Sequence, residues 1–163
     1  MAKKKVVKTN AIRMIEQQKI PYVEHEYEWT DRHTHVTVEE KRQAPRTVFK
    51  TLVATGNKTG FLVAAIPANR ELDLKKLAKV SGNKKVELLA VKDLEATTGY
   101  IRGGCSPVGM KKQFPTYFDL SGESMETMTV SAGRRGLQIE LKPHDLAKVA
   151  RATFVEIIED EIE

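Results

Sequence analysis

Cysteine, metal-ligand spacings and long apolar runs are all scarce in this 163-residue chain. The one cysteine, Cys105, rules out a disulfide framework within the chain and suits a reducing compartment. No C-x-x-C occurs, and the four histidines, His25, His33, His35 and His144, show no H-E-x-x-H spacing, so no metal site is expected. No segment approaches the roughly 18 apolar residues of a membrane span. The basic start, MAKKKVVKTNAIRMIEQQ, lacks the apolar core of a signal peptide. A cytoplasmic location without membrane attachment is therefore the expectation. Internal repeats, low-complexity linkers and composition shifts are also missing, so residues 1–163 read as a single domain.

Several nucleotide and hydrolase signatures fail as well. The glycines at 103, 104 and 109 do not follow the G-x-G-x-x-G dinucleotide spacing. Gly104 and Gly109 have the separation of a phosphate-binding loop, but Met110 stands where that motif needs lysine. Ser106 lacks the G-x-S-x-G elbow of a serine hydrolase. A lone cysteine without a clear histidine partner is more often packed than reactive, so Cys105 is not read as a nucleophile.

What is present is a globular composition, 40% hydrophobic and 30% charged, with a net charge of +5 that permits a polyanionic partner without demanding one. Periodicity and breakers predict helices over residues 10–19, 37–44, 72–80 and 93–97, with a last helix opening at Asp145. Strands are predicted over residues 22–28, 47–55, 60–66, 86–89, 117–120, 127–131, 137–141 and 154–158. Gly56-Asn57-Lys58-Thr59 reads as a hairpin turn, so the sheet cannot be all parallel. The expected class is α/β: a mixed, curved, partly closed sheet with helices packed outside.

Three features could carry chemistry. Lys50 sits in Val48-Phe49-Lys50-Thr51-Leu52-Val53-Ala54, and alternation puts it on the side of Val48, Leu52 and Ala54. A lysine there either snorkels from an edge strand or waits at the floor of a pocket for an anion or a developing oxyanion. Gly103-Gly104-Cys105-Ser106-Pro107-Val108-Gly109 is either an ordinary loop or a place where backbone approaches a ligand. Ser131-Ala132-Gly133-Arg134-Arg135-Gly136 is either a solvated basic turn or a phosphate contact.

In this order the three features resemble the YbaK/EbsC family of aminoacyl-tRNA deacylases, which is related to the editing domain inserted in bacterial prolyl-tRNA synthetases. The matching stretches are VFKTLVAT, ELDLKKLAKVSGNKKVEL, TTGYIRGGCSPVGMKK, SAGRRGLQIEL and DLAKVARATFVEI. The resemblance implies a mixed, partly closed α/β domain and release of an amino acid, above all cysteine, from the 3′ ribose of tRNA(Pro), with tRNA(Cys) as a second candidate, by hydrolysis or by attack of the substrate's own thiolate. It makes Lys50 the essential charged group. It makes Tyr27, Thr51, Gly103, Gly104, Ser106, Ser131 and Gln138 the substrate-binding set, with Gln138 where some members carry Asp. Arg134 and Arg135 become contacts to tRNA. The implied partners are aminoacyl-tRNA and prolyl-tRNA synthetase in a transient complex; neither cofactor nor metal is expected. A non-catalytic tRNA- or nucleotide-binding module, or a deacylase for alanine or serine, stands as the alternative.

Overall fold

Helix ends in this protein are set by local side-chain chemistry. In the computed structural model, which describes residues 8–27 and 48–160, the Thr9 hydroxyl accepts the Ile12 N–H and starts α1 (Asn10–Gln17). Its buried face is Ala11, Ile12 and Ile15. Asp73 caps α2 (Leu74–Ser81) by accepting the N–H groups of Lys75 and Lys76, and Gly82 closes it in the left-handed region at φ 78°. The other helices are α3 (Val91–Thr98) and α4 (Pro143–Ala150). Helix α4 starts two residues before the expected Asp145, because Pro143 occupies the first turn, where a missing N–H costs nothing. The helix expected over residues 37–44 lies outside the described residues.

The strands are β1 (Val23–Glu26), β2 (Phe49–Gly56), β3 (Gly60–Pro67), β4 (Val86–Leu88), β5 (Thr116–Asp119), β6 (Met128–Arg134), β7 (Leu137–Leu141) and β8 (Ala152–Val155). A 3-10 turn, Leu120–Gly122, follows β5. Strands β2 and β3 form the expected antiparallel hairpin, closed by the Gly56–Gly60 pair. Strand β8 ends earlier than the expected 154–158, and Arg151, at φ 55°, turns the chain sharply from α4 into it.

Among the described residues the strands form two sheets and do not close. One is three-stranded, ordered β1-β7-β6 and antiparallel throughout. The other is five-stranded, ordered β4-β2-β3-β5-β8, antiparallel from β4 to β3 and parallel from β3 to β8. An isolated parallel bridge, Val48 to Thr129, joins them. The main core packs α1 and α4 against Phe49, Phe118, Val130, Ile139 and Leu141. A second cluster, on the other side of the larger sheet, packs Leu77 and Ala78 of α2 against Ala54, Leu62, Ala64 and Ile66.

The β2–β3 turn is fastened to the end of α2 by one buried side chain. Asn83 accepts the N–H groups of Lys58 and Thr59 on Oδ1 and donates from Nδ2 to the hydroxyls of Thr59 and Ser81. A Cβ on Gly56 would come within 2.3 Å of that amide, so only glycine lets it in. Asn83→Ala strands two backbone donors and removes all four bonds. The expected loss is about 2–3 kcal/mol, read as a lower urea midpoint at an unchanged slope; an unchanged midpoint would show that water replaces the amide at no cost.

Candidate functional site

Strands β2 and β6 touch at one point and then part. Val48 and Thr129 are partners in a parallel bridge, so their side chains share a face. The next residues, Phe49 and Val130, are both in the main core, which fixes the other face. Two positions beyond the bridge, Lys50 on β2 and Ser131 on β6 therefore stand on the face away from that core, on either side of the gap. Ser131 is the register partner of Gln138, and Gln138 is the partner of His25. Lys50, Ser131, Gln138 and His25 thus share one face across both sheets, and Tyr27 follows His25 at the next position on it.

Lys50 neither hangs in bulk water nor is sealed away. Its side chain is 35% exposed, its stem runs beside buried Ile66, and its ammonium lies 4.0 Å from Glu71 Oε1. Glu71 is itself 78% exposed, so the pair is weak and exchangeable. Glu71 is held in place through its backbone. Its carbonyl accepts the Glu159 N–H, and neighbouring Leu72 bridges Ile158.

Gly103, at φ 84°, occupies the left-handed region, and its carbonyl meets the Tyr27 hydroxyl in a long contact of 3.5 Å. Gly104 is glycine for a different reason. A Cβ there would lie 2.9 Å from Arg135 N and 3.0 Å from the Arg134 carbonyl carbon, so the loop packs backbone to backbone on the β6–β7 turn. The Gly104 N–H already donates to Ile101 O, which takes it out of any ligand cradle. Arg135 fastens the same contact by donating from Nε to Arg102 O at 2.8 Å. Tyr27 N–H donates to Gly136 O at 2.8 Å, so three distant segments meet here.

The expected binding residues do not all gather. Tyr27, Ser131 and Gln138 share the face of Lys50, and Gly103 reaches that face through Tyr27. Thr51 points to the opposite side, as alternation requires, and its buried Oγ1 has no hydrogen-bond partner among the described residues. Ser106 is fully buried, and its hydroxyl accepts the Val108 N–H within the loop. Arg134 and Arg135 lie at the end of β6 and in the turn after it; β6 runs past the expected 131 because a bulge absorbs Ala132 and Gly133. Among the described residues no group of His, Cys, Asp and Glu could hold a metal ion. No helix of the described residues is long and apolar enough to cross a membrane.

Two arrangements escaped the sequence. Tyr100 is buried, and its hydroxyl donates to Val108 O at 2.7 Å and to Gly109 O at 3.1 Å, pinning the far end of the glycine loop. Burial pushes its phenol up to about 12, so it remains a donor at any physiological pH. The second is a cross-strand cluster beside Gln138. Glu140 accepts the Thr127 hydroxyl on Oε2 and sits 2.7 Å from His25 Nε2 through Oε1. These bonds, Thr127 first and His25 second, hold the Glu140 carboxyl below its ordinary range. Neither pattern has a sequence signal, since the partners are 8 residues apart for Tyr100–Val108 and 115 apart for His25–Glu140.

Known proteins resemble this chain in sequence and in fold. The sequence profile of the aminoacyl-tRNA editing domain matches residues 31–149. A protein of Enterococcus faecalis (strain ATCC 700802 / V583), named as a candidate Cys-tRNA(Pro)/Cys-tRNA(Cys) deacylase, EbsC, is 58% identical over 160 residues, covering 96% of this chain and 98% of that one. Two crystal structures share the fold at low identity. One is a hypothetical protein, APE2540, with TM-score 0.79 and 20% identity over 93% of this chain and all of that one. The other is a candidate trans-editing enzyme for prolyl-tRNA synthetase, with TM-score 0.74 and 21% identity over 94% of this chain and 99% of that one.

Two measurements check the site's electrostatics. Burial pushes the Cys105 thiol up to about 12, with a Thr98 hydrogen bond opposing. At pH 8 about one molecule in 10⁴ then carries a thiolate, so a thiol reagent should label the folded protein at least about 10³-fold more slowly than the unfolded one; fast labelling in buffer would contradict this. A depressed Glu140 pKa stabilises the fold at pH above the unfolded value of about 4.3, and that contribution disappears as pH falls through the folded value. Glu140→Gln should therefore lower stability by up to about 1 kcal/mol near pH 7 and converge on the parent toward pH 3. Melting curves across pH report this, and a deficit that grows in acid would reverse the assignment.

Proposed function

The chain belongs to the aminoacyl-tRNA editing domain family, and from that premise we propose that it is a trans-editing deacylase that releases cysteine wrongly attached to tRNA(Pro), with tRNA(Cys) as the second candidate substrate. The deacylase reading is supported by the 58% identity to the Enterococcus protein over nearly the whole of both chains. Work on tRNA by such an enzyme belongs in the cytoplasm.

The observation that carries the reading is the position of Lys50. It is a partly exposed cation two positions past the single β2–β6 bridge, on the face it shares with Ser131, and among the described residues the carboxylate beside it is the weak, exposed Glu71. An aminoacyl ester is already activated, so the protein need not supply a nucleophile. It must hold the 3′ ribose, orient the carbonyl and stabilise negative charge as the carbonyl is attacked. Lys50 supplies the positive charge to the terminal phosphate, the ribose end or the developing oxyanion. Tyr27, Ser131 and Gln138 line the same face and offer hydroxyl and amide groups to the substrate. Gly103 leaves that wall low enough for a small amino acid.

Thr51, Gly104 and Ser106 act from behind. Thr51 backs the strand that presents Lys50, Gly104 seats the loop on the basic turn, and Ser106 holds the loop's internal bend. With cysteine as the amino acid, its own sulfur attacks the ester carbonyl. The carbon–oxygen bond to the ribose breaks, the ribose oxygen takes up the proton the thiol gave up, and a cyclic thioester leaves. With water as the attacking group, the products are free cysteine and the same ribose hydroxyl. A thiol at Cys105 with a pKa near 12 takes no part in either route. Prolyl-tRNA synthetase is the partner that would hand over the mischarged tRNA.

Lys50→Ala should lower release of cysteine from Cys-tRNA(Pro) by about 10²–10³-fold while leaving the thermal midpoint in place. Release would be followed on a panel of aminoacyl-tRNAs, with Ala and Ser esters included to set specificity. An unaltered rate in a folded Lys50→Ala protein removes Lys50 from the reaction. Binding of the panel without any release makes the protein a non-catalytic module.

A further inference from the structure

We propose that Glu71 reads the α-ammonium group of the aminoacyl ester, and so makes the site selective for esters of amino acids whose amine is free. The identity of the ligand rests on the deacylase reading. The placement of Glu71 does not: its Oε1 lies 4.0 Å from the Lys50 ammonium, on a side chain that is 78% exposed.

Backbone contacts fix where Glu71 stands. Its carbonyl accepts the Glu159 N–H at 2.9 Å, Leu72 bridges Ile158, and the Asp73 N–H donates to Ile157 O at 2.8 Å. The C-terminal segment is anchored in turn, because the Ile157 N–H donates to Oδ1 of buried Asp119 at 3.1 Å. Arg70 and Lys76 hold the same segment by donating to Glu159 O and Ile158 O. The chain around residue 71 is therefore clamped, while its carboxylate stands in solvent beside Lys50.

At 4.0 Å the two charges are outside hydrogen-bond range, so neither satisfies the other. A carboxylate placed there only to neutralise Lys50 would work against the reaction, since it weakens the field that Lys50 offers a developing oxyanion. The substrate resolves this conflict. An aminoacyl ester carries its ammonium nitrogen about 3 Å from its carbonyl oxygen. As the carbonyl is attacked, those two atoms become a positive and a negative charge side by side. Lys50 and Glu71 present the same two charges in the opposite order at a comparable spacing. With the carbonyl oxygen toward Lys50 and the ammonium toward Glu71, each protein charge meets its opposite in a charge-assisted hydrogen bond. An ester without the ammonium leaves Glu71 beside Lys50, which loses one contact and part of the Lys50 field. Peptidyl-tRNA is such an ester, because its amide nitrogen is uncharged.

The test pairs two esters with two proteins. Release is followed from Cys-tRNA(Pro) and from β-mercaptopropionyl-tRNA(Pro), which keeps the thiol and lacks only the amine, by the parent and by Glu71→Gln, with melting curves as the fold check. The intrinsic reactivity of each ester is the same for both proteins and cancels when their preferences are compared. The parent's preference in kcat/KM for the cysteinyl ester should exceed that of Glu71→Gln by about 10- to 100-fold. Equal slowing of both esters would make Glu71 a support for Lys50, and equal acceleration would make it a mere competitor there; either result overturns the proposal. A second measurement needs no turnover. Calorimetry compares the stable 3′-amides that aminoadenosine forms with cysteine and with β-mercaptopropionic acid. The parent should favour the cysteinyl amide by a similar factor, and Glu71→Gln should lose that preference. A parent without the preference overturns the proposal. A parent that shows it, loses it in Glu71→Gln, yet frees no amino acid from any charged tRNA sinks the deacylase reading and leaves the role of Glu71 standing.

Discussion

Strands β2 and β6 make one bridge and then separate, and the candidate site is a consequence of that separation. Beyond Val48 and Thr129 each strand turns to other partners, β2 to β3 and β4, and β6 to β7. A sheet that continued across the bridge would bring Lys50 and Ser131 side by side at strand spacing, leaving no room for a substrate. A sheet without the bridge would leave nothing to hold them on a common face. The single contact supplies register without closure. It sets which face each side chain takes, and beyond it the two strands share no further pairing.

The glycine loop fills the other side of this arrangement, and its residues divide by task. Gly103 bends the chain through a conformation that a side chain disfavours, and Gly104 allows two backbones to touch. Tyr100 and Ser106 then fix the loop from inside, one through its phenol on Val108 O and the other by accepting the Val108 N–H. These bonds tie the loop's backbone to side chains buried beneath it. Thr51 departs from this pattern, because its buried hydroxyl has no partner among the described residues. Such a group costs stability, and here it sits on the strand that presents Lys50.

Much of the fold could be read in advance from residues whose chemistry is local. The Gly56–Gly60 hairpin, the end of α2 at Gly82 and the alternation of β7 depend on neighbours in sequence. Lys50 was legible for the same reason, since one charge in an apolar strand stands out without any tertiary knowledge. What could not be read depends on long-range geometry. The bulge that carries β6 to Arg134 depends on pairing with β7. From sequence the glycine loop reads as an ordinary loop or as a place where backbone approaches a ligand, because paired glycines serve both purposes. The structure assigns Gly104 to loop packing, because the atoms it must clear belong to a turn about thirty residues away in sequence. His25 and Glu140 have no sequence signature at all, being neighbours only across two strands.

The modest strength of the Lys50–Glu71 pair fits the work proposed for Lys50. A lysine buried against a carboxylate would be costly to separate, since removing either partner leaves a desolvated charge. At 4.0 Å, with one partner 78% exposed, the pair contributes less than about 1 kcal/mol. A phosphate or a developing oxyanion, carrying full charge and arriving with its own contacts, can displace Glu71 at little expense. Backbone bonds from the C-terminal segment keep Glu71 close enough to orient the ammonium between turnovers, while solvent keeps the two from locking together. An arginine at position 50 would spread its charge over a planar fork and reward a bidentate carboxylate partner, which would favour a tighter hold on Glu71. The compact, hydrated charge of lysine on a stem lying along Ile66 is better suited to changing partners than to keeping one.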